Sequence, residues 1–412
     1  MLETDVLILG AGSAGLTCAL LLAQQCPQLQ IVVLEQGSAP LATASQTNPA
    51  APSLSRVSAL NLASQRVLSS IGVWQQLTAK PAYQRMEVWE ADSFARIQFD
   101  GSSAGINEIG AIVDNEELRQ CLYQQVLLQG QIRCLFGVEP KQISAGERQN
   151  MVSLSDGQVL LSKLLIGADG ANSKVREQLK LPLAFWDYDH HGLVATVQTS
   201  EPHGQCARQV FLPDGPLALL PLADPYQVSI VWSVPPSRAA ELKALAAAEF
   251  NQQLTAASNS VLGLLTVQHE RAAYPLKMRY ASKWYRHNAV LVADAAHTIH
   301  PLAGQGMNLG LMDVAALVQL IARKLNTGQT ICDERLLRQY ERWRKAEAQQ
   351  MIALMEAFKR GFMLQHPLAK LVRAVGMAAT DKLPLLKDKL LLAAIGNSGD
   401  LPELARPAPV LL

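Results

Sequence analysis

The chain has 412 residues, 49% of them hydrophobic and 17% charged, with a net charge of +1. That length suggests two or three domains around a large core. The balance fits a globular protein and supplies no basic excess for a nucleic-acid partner. The six cysteines, at 18, 26, 121, 134, 206 and 332, include no Cys-x-x-Cys pair, which points to reduced, packed thiols in a cytoplasmic protein.

The first five residues, Met1-Leu-Glu-Thr-Asp5, lack the basic start of a signal peptide. Residues 6–34 carry no charge, but glycines at 10, 12 and 15 and Pro27 break the stretch. A strand, a tight turn and a buried helix explain it better than a membrane span. Val6–Leu9 is an apolar run suited to a parallel strand, Leu16–Gln25 to a helix, and Ile31–Leu34 to a second strand ending at Glu35. Ser58–Ile71 has helical spacing and closes at Gly72. Residues 112–129 begin extended and become helical, and Leu160–Ile166 is a strand running into Gly167-Ala-Asp169-Gly170.

From about Leu181 to Tyr285 the texture changes. Leu193–Thr199, Gln209–Leu212, Leu217–Pro221 and Val228–Ser233 are strand-like runs between Pro, Gly and Asp turns. They suggest an inserted antiparallel sheet. Ala289–Val292 returns to a buried strand, a helix is expected from near Met307 to Leu325, and the rest from Glu334 is helical.

Three motifs carry chemistry. In Gly10-x-Gly12-x-x-Gly15, the first glycine permits the turn, the second admits a pyrophosphate, and the third lets helix pack on strand. Phosphates then sit at the helix N-terminus, where free N–H groups favour anions. Glu35, twenty residues past Gly15, would accept from ribose hydroxyls, favouring FAD or NAD over a 2′-phosphorylated nucleotide. The second motif is Gly167-Ala-Asp169-Gly170-Ala-Asn-Ser173-Lys-Val-Arg176. The third runs from Asp294-Ala-Ala-His297 through His300-Pro301-Leu-Ala-Gly304-Gln305-Gly306-Met307-Asn308 to Gly310. His297 and His300 have a spacing metals can use, but no further ligand joins them in sequence, so no metal is expected.

In this order the motifs resemble the group A flavin-dependent aromatic hydroxylases, the family of para-hydroxybenzoate hydroxylase. Arg56-Val-Ser-Ala-Leu60 and the His-Thr-Ile-His-Pro-Leu-Ala-Gly-Gln-Gly run narrow the likeness to the ubiquinone-biosynthesis hydroxylases. Met86-Glu-Val-Trp-Glu90, Phe185-Trp-Asp-Tyr-Asp-His-His191 and Asp400-Leu-Pro-Glu403 most resemble the branch acting at ring carbon 5 of 2-octaprenylphenol. The likeness covers nearly the whole chain.

The resemblance implies an α/β fold: a Rossmann-like FAD-binding domain (1–75, 101–180 and 286–330), an inserted antiparallel-sheet substrate domain (76–100 and 181–285) and a helical C-terminal region (331–412). It implies FAD held by Gly10, Gly12, Gly15, Glu35, Arg56, Asn115, Asp169, Asp294 and residues 304–308. Asp294 would meet the ribityl chain. Gly304-Gln305-Gly306-Met307-Asn308 would pass the isoalloxazine, where a helix N-terminus stabilises charge on the reduced ring. Pro301, Gly304 and Gly306 would form the wall facing flavin and oxygen, with no base assigned; His190 and His191 are expected to be strand histidines. Ala293 stands where the family usually has glycine, and its Cβ disfavours positive φ.

The implied reaction, with NAD(P)H as reductant and O2 as co-substrate, hydroxylates a polyprenylated phenol through a flavin C4a-hydroperoxide. Other readings are a sibling ubiquinone intermediate, a small soluble phenol, or a flavin-free prenyl-binding escort, which would lack the glycine fingerprint. Residues 335–389 carry 12 Lys/Arg against 5 Asp/Glu, suggesting peripheral contact with an anionic membrane or a lipid-binding partner. A homo-oligomer or a biosynthetic complex is also expected.

Overall fold

The structure, a computed structural model, describes residues 1–40, 56–91, 93, 96–298, 305–363 and 383–408. Its helices there are α1 (Ser13–Gln25), α2 (Leu62–Ser70), α3 (Asn115–Leu127), α4 (Lys174–Gln178), α5 (Pro236–Ala244), α6 (Ala247–Ala257), α7 (Gln305–Asn326), α8 (Glu334–Met363) and α9 (Pro384–Ala394).

One sheet carries the first and last motifs. Five of its strands are parallel neighbours in the order Ala289–Leu291, Val159–Gly167, Leu2–Leu9, Ile31–Glu35 and Ile132–Phe136. Strands buried on both faces need unbroken apolar runs, and Val6-Leu-Ile-Leu9 and Ile31-Val-Val-Leu34 supply them with almost no exposure. Helices α1 and α7 pack beside each other in this core, with Leu16, Leu21, Val314 and Leu317 fully buried. Register then matters. Leu9 lies opposite both Leu34 and Gly167, and Gly167 lies opposite Leu291. Four strands therefore end on one line, and the residues that follow are Gly10, Glu35, Asp169 and Asp294.

The antiparallel insert forms a nine-stranded sheet around the long strand Leu183–Thr199. Arg85–Glu90 and Arg96–Asp100 join it from earlier in the chain. One of its faces packs on α5 and α6, burying Leu193, Val197, Ile230 and Trp232 against Leu242, Phe250 and Leu254. Those helices, and the strands Ile132–Phe136, Pro140–Ser144 and Asn150–Leu154, are not anticipated in the sequence.

The expected helix over Ser58–Ile71 is corrected. Val57–Asn61 is a strand paired with Gly110–Asp114, and α2 starts only at Leu62. Asn61 decides the switch, since its side chain accepts from Ser64 N and caps the helix there. All six cysteines are free, and burial pushes the Cys18 thiol up to about 12, so it is inert at neutral pH.

Candidate cofactor site

The glycine turn has the shape its residues require. Gly10 has φ +106°, and a Cβ there would fall 2.3 Å from the Ala168 carbonyl oxygen. A Cβ on Gly15 would fall 1.9 Å from the Gly10 oxygen. Gly12, by contrast, faces open space and precedes the first turn of α1 without a side-chain cap or an acidic residue. An uncapped N-terminus with room above it is where a pyrophosphate fits. Glu35 reaches across the turn: one carboxylate oxygen accepts from Ala11 N at 2.8 Å and the other from Gly37 N at 2.8 Å. That fixes its carboxylate at the strand edge with lone pairs left for a ribose.

Arg119, one turn into α3, is a residue the sequence reading missed. It donates to the carbonyls of Ala11 at 3.0 Å and Ser38 at 3.3 Å, so its guanidinium lines the same turn. The only signal in sequence is an arginine one helical turn after Asn115. Asn115 itself opens α3, donates its backbone N–H to the Arg56 carbonyl, and leaves its side-chain oxygen buried without a partner. Arg56 lies 5.3 Å from the Tyr274 ring centroid, which brings the nine-stranded sheet up to the start of α3.

Asp169 accepts from Val175 N through one oxygen, while the other is buried and unpartnered. Burial raises its pKa, against hydrogen bonds from Ser173 and the α4 backbone. Orphaned buried acceptors at Asn115 and Asp169, on either side of the glycine turn, fit a ligand with hydroxyl donors. Ser173 caps α4, and Arg176 donates to Ala295 O at 2.8 Å and Ala171 O at 2.8 Å. Arg176 thus ties the second motif to the third.

Asp294 follows the strand Ala289–Leu291. Its side chain opens onto the cleft, yet protein closes in on its other sides. That desolvation raises its pKa, partly opposed by His297, Arg56 and Arg279. Ala293 holds φ +53°, so alanine does adopt the left-handed backbone that a glycine would favour. Asn308 is turned away from the cleft. Its side chain accepts from Asn61 N at 3.0 Å and Ser64 Oγ at 2.7 Å and donates to Ala59 O, pinning the start of α7 to α2. Gly306 and Met307 lie half-buried in the first turn of α7. Pro301, Gly304, His300 and the Gln305 side chain lie outside the described residues. Among the described residues, no group of three His, Cys, Asp or Glu could hold a metal. No helix there is long and apolar enough to cross a membrane.

Four strand ends, an uncapped helix N-terminus and an acid at each end of the cleft define a dinucleotide site of the flavoprotein type. The comparisons agree. A family model described as an FAD binding domain matches residues 3–355. The chain is 33% identical to 3-demethoxyubiquinol 3-hydroxylase of Escherichia coli (strain K12), over 95% of this chain and 98% of that one. It is 32% identical to the mitochondrial ubiquinone biosynthesis monooxygenase COQ6 of Xenopus tropicalis, over 95% and 93%. Among solved structures, p-nitrophenol 4-monooxygenase PnpA from Pseudomonas putida DLL-E4 superposes with a TM-score of 0.76 at 17% identity, over 97% of this chain and all of that one. PqsL of P. aeruginosa, in complex with 2-aminobenzoylacetate, gives 0.73 at 23% over 96% and 100%. At those identities the structures speak for the fold. The chain belongs to the FAD-binding-domain family, among its ubiquinone-biosynthesis hydroxylases. It is an FAD-dependent aromatic hydroxylase.

Proposed function

We propose that this protein hydroxylates the aromatic ring of a polyprenylated phenol in ubiquinone biosynthesis, with FAD as cofactor and NAD(P)H and O2 as co-substrates. The observation that carries it is the level of identity, above 30% over 95% of the chain, to relatives named for that pathway. Bound flavin supplies oxygen activation and transfer of one oxygen atom to the ring.

The chain's own residues supply the rest. Gly12 and the α1 N-terminus would take the pyrophosphate, Glu35 and Arg119 the adenosine side, and Asp294 the ribityl side. Pro301, Gly304 and Gly306 are proposed as the wall beside the reacting ring. The substrate platform in this reading is the sheet face opposite α5 and α6. Val194 pairs with Val231, and Val231 with Ala218, so all three project from that face, and all are half-buried. Gly192 and Tyr274 pair on the same face, and Tyr274 meets Arg56 from the cofactor side. Small apolar side chains leave space for a ring and keep water from it.

Under the same reading, residues 1–75, 101–180 and 286–330 form the cofactor domain, 76–100 and 181–285 the substrate domain, and 331–412 the helical C-terminal region. Helix α8 buries Leu336, Leu337, Tyr340 and Ala348 and exposes Arg335, Arg338 and Arg342. That basic face is proposed to meet an anionic membrane surface, where a prenylated phenol resides. The likeness of three sequence stretches to the carbon-5 branch favours 2-octaprenylphenol as substrate. A deletion strain analysed for quinone precursors tests it. Accumulation of a polyprenylated phenol lacking the carbon-5 oxygen, reversed by complementation, is expected; an unaltered quinone profile overturns the assignment.

A further inference from the structure

Beneath the cofactor cleft lies a buried ionic cluster of which only His297 belongs to a sequence motif. Asp313, on α7, is fully buried. Its Oδ2 accepts from the backbone N–H of Ala293 at 3.2 Å and lies 2.5 Å from His297 Nε2. Its Oδ1 accepts from Arg344 Nε at 3.0 Å, and Arg344, on α8, is 2% exposed. Those partners hold the Asp313 carboxyl below the usual carboxylate range, despite the burial that opposes it. His297 stacks at 5.0 Å on Trp284, which is itself fully buried.

Such a cluster is an expensive way to join helices. Taking charges out of water costs more than well-packed apolar residues of similar volume would. The helices could pack without it. What apolar packing could not do is grip a backbone N–H. The gripped residue is Ala293, whose left-handed φ of +53° disfavours a side chain. Its methyl is accommodated only because position 310 is glycine: a Cβ there would fall 2.7 Å from the Ala293 Cβ. On the far side of Asp294, Arg176 grips the Ala295 carbonyl at 2.8 Å. Both neighbours of Asp294 are tied down, while its own carboxylate makes no hydrogen bond among the described residues and opens onto the cleft.

We propose that Asp313, with His297 and Arg344, is a positioning device for the flavin end of the cofactor. It holds Ala293 in the left-handed conformation and so aims Asp294 at the bound group, and it links helix α8 to that aim. The inference rests on Asp294 facing the cofactor, and it does not depend on which phenol is hydroxylated.

The test is FAD titration of the deflavinated full-length protein, with the visible flavin spectrum and the apoprotein melting curve recorded alongside. The triple substitution Asp313→Leu, His297→Phe, Arg344→Met replaces the cluster without stranding a charge. Its FAD Kd is expected to weaken about tenfold, the worth of one lost charged hydrogen bond. Adding Ala293→Gly, which enters the left-handed region freely, is expected to recover a good part of that loss, yet to shift the wild-type Kd less than about twofold. If the triple variant does not fold, the same cycle is run on Asp313→Asn, which keeps the shape. A cluster that only joins helices would lower the melting temperature and leave the Kd alone. The proposal is overturned if a folded cluster variant binds FAD as the wild type does, or if Ala293→Gly has the same effect with and without the cluster.

Discussion

The two ends of the cofactor cleft are built by opposite means. At the adenosine end, residues 10–15 are positioned by the absence of side chains, with backbone against backbone and the Glu35 carboxylate closing the turn. At the flavin end, residues 293–298 are positioned by side chains reaching in from α4, α7 and α8. The first arrangement is rigid through backbone sterics. The second draws on residues up to 119 positions away along the chain, Arg176 to Ala295. A mutation should therefore behave differently at the two ends.

Gly15→Ala should be the most damaging. Its Cβ would sit 1.9 Å from the Gly10 carbonyl oxygen, a backbone atom with no rotamer to give. Overpacking of this kind costs about 3 kcal/mol or more, and the protein should melt lower and purify without flavin. Gly12→Ala is the matched control. Nothing lies within 4 Å of its Cβ position and φ is −78°, so apoprotein stability should change by less than about 0.5 kcal/mol. Only FAD affinity should fall, because the methyl would occupy the path of the phosphates. Equal losses in both variants would mean that steric rigidity is not what shapes this end.

Next comes Asp313→Ala, which strands Arg344 in the core and should cost about 3–5 kcal/mol. Its pH signature distinguishes it from simple cavity formation. The folded pKa of Asp313 is depressed, so its contribution is present above the unfolded value of about 3.9 and is lost as pH falls through the lower folded value. Wild-type stability should therefore fall on acidification partly through this group. The variant should lack that component, and its deficit in urea unfolding should narrow toward low pH. A deficit independent of pH would point to lost packing instead.

This contrast also explains what was legible. The glycine turn, Glu35, Asp169 and Asp294 are visible in sequence because each lies at, or within three residues of, the end of an apolar strand, and parallel strands must end at one edge. Arg176 is visible as the end of the second motif, though not that its target is Ala295. Asp313 and Arg344 were not readable. Asp313 is a lone charge in the apolar run of α7, and Arg344 is one of several cations on the basic helix α8, so neither names a partner. Only the packing of α7 against α8 turns them inward together. Arg119 was hidden for the same reason, as one cation on a polar helix. The expected helix over Ser58–Ile71 takes in the end of the strand Val57–Asn61 because a short apolar run before a helix fits either period, and the Asn61 cap that separates them acts through its side chain.

Asp294→Asn should have the smallest effect on stability, and its sign is the informative part. Burial raises the folded pKa of Asp294, so the native apoprotein holds that proton more tightly than the unfolded chain does. Ionisation then costs stability. The cost is absent below the unfolded pKa, grows as pH rises toward the raised folded value, and is complete above it. The carboxylate opens onto the cleft, where water screens it, so the cost is small. Removing the charge should make the apoprotein melt slightly higher at pH 7, with the difference vanishing in acid. The same substitution should weaken FAD, so the FAD-induced rise in melting temperature should be larger in the wild type. Asp313 and Asp294 thus have opposite signs, one carboxylate stabilising the loop and the other ionising at a cost to it. An Asp294→Asn apoprotein that melts lower than the wild type at pH 7 would place Asp294 among the loop's supports and remove the distinction between clamp and aimed residue.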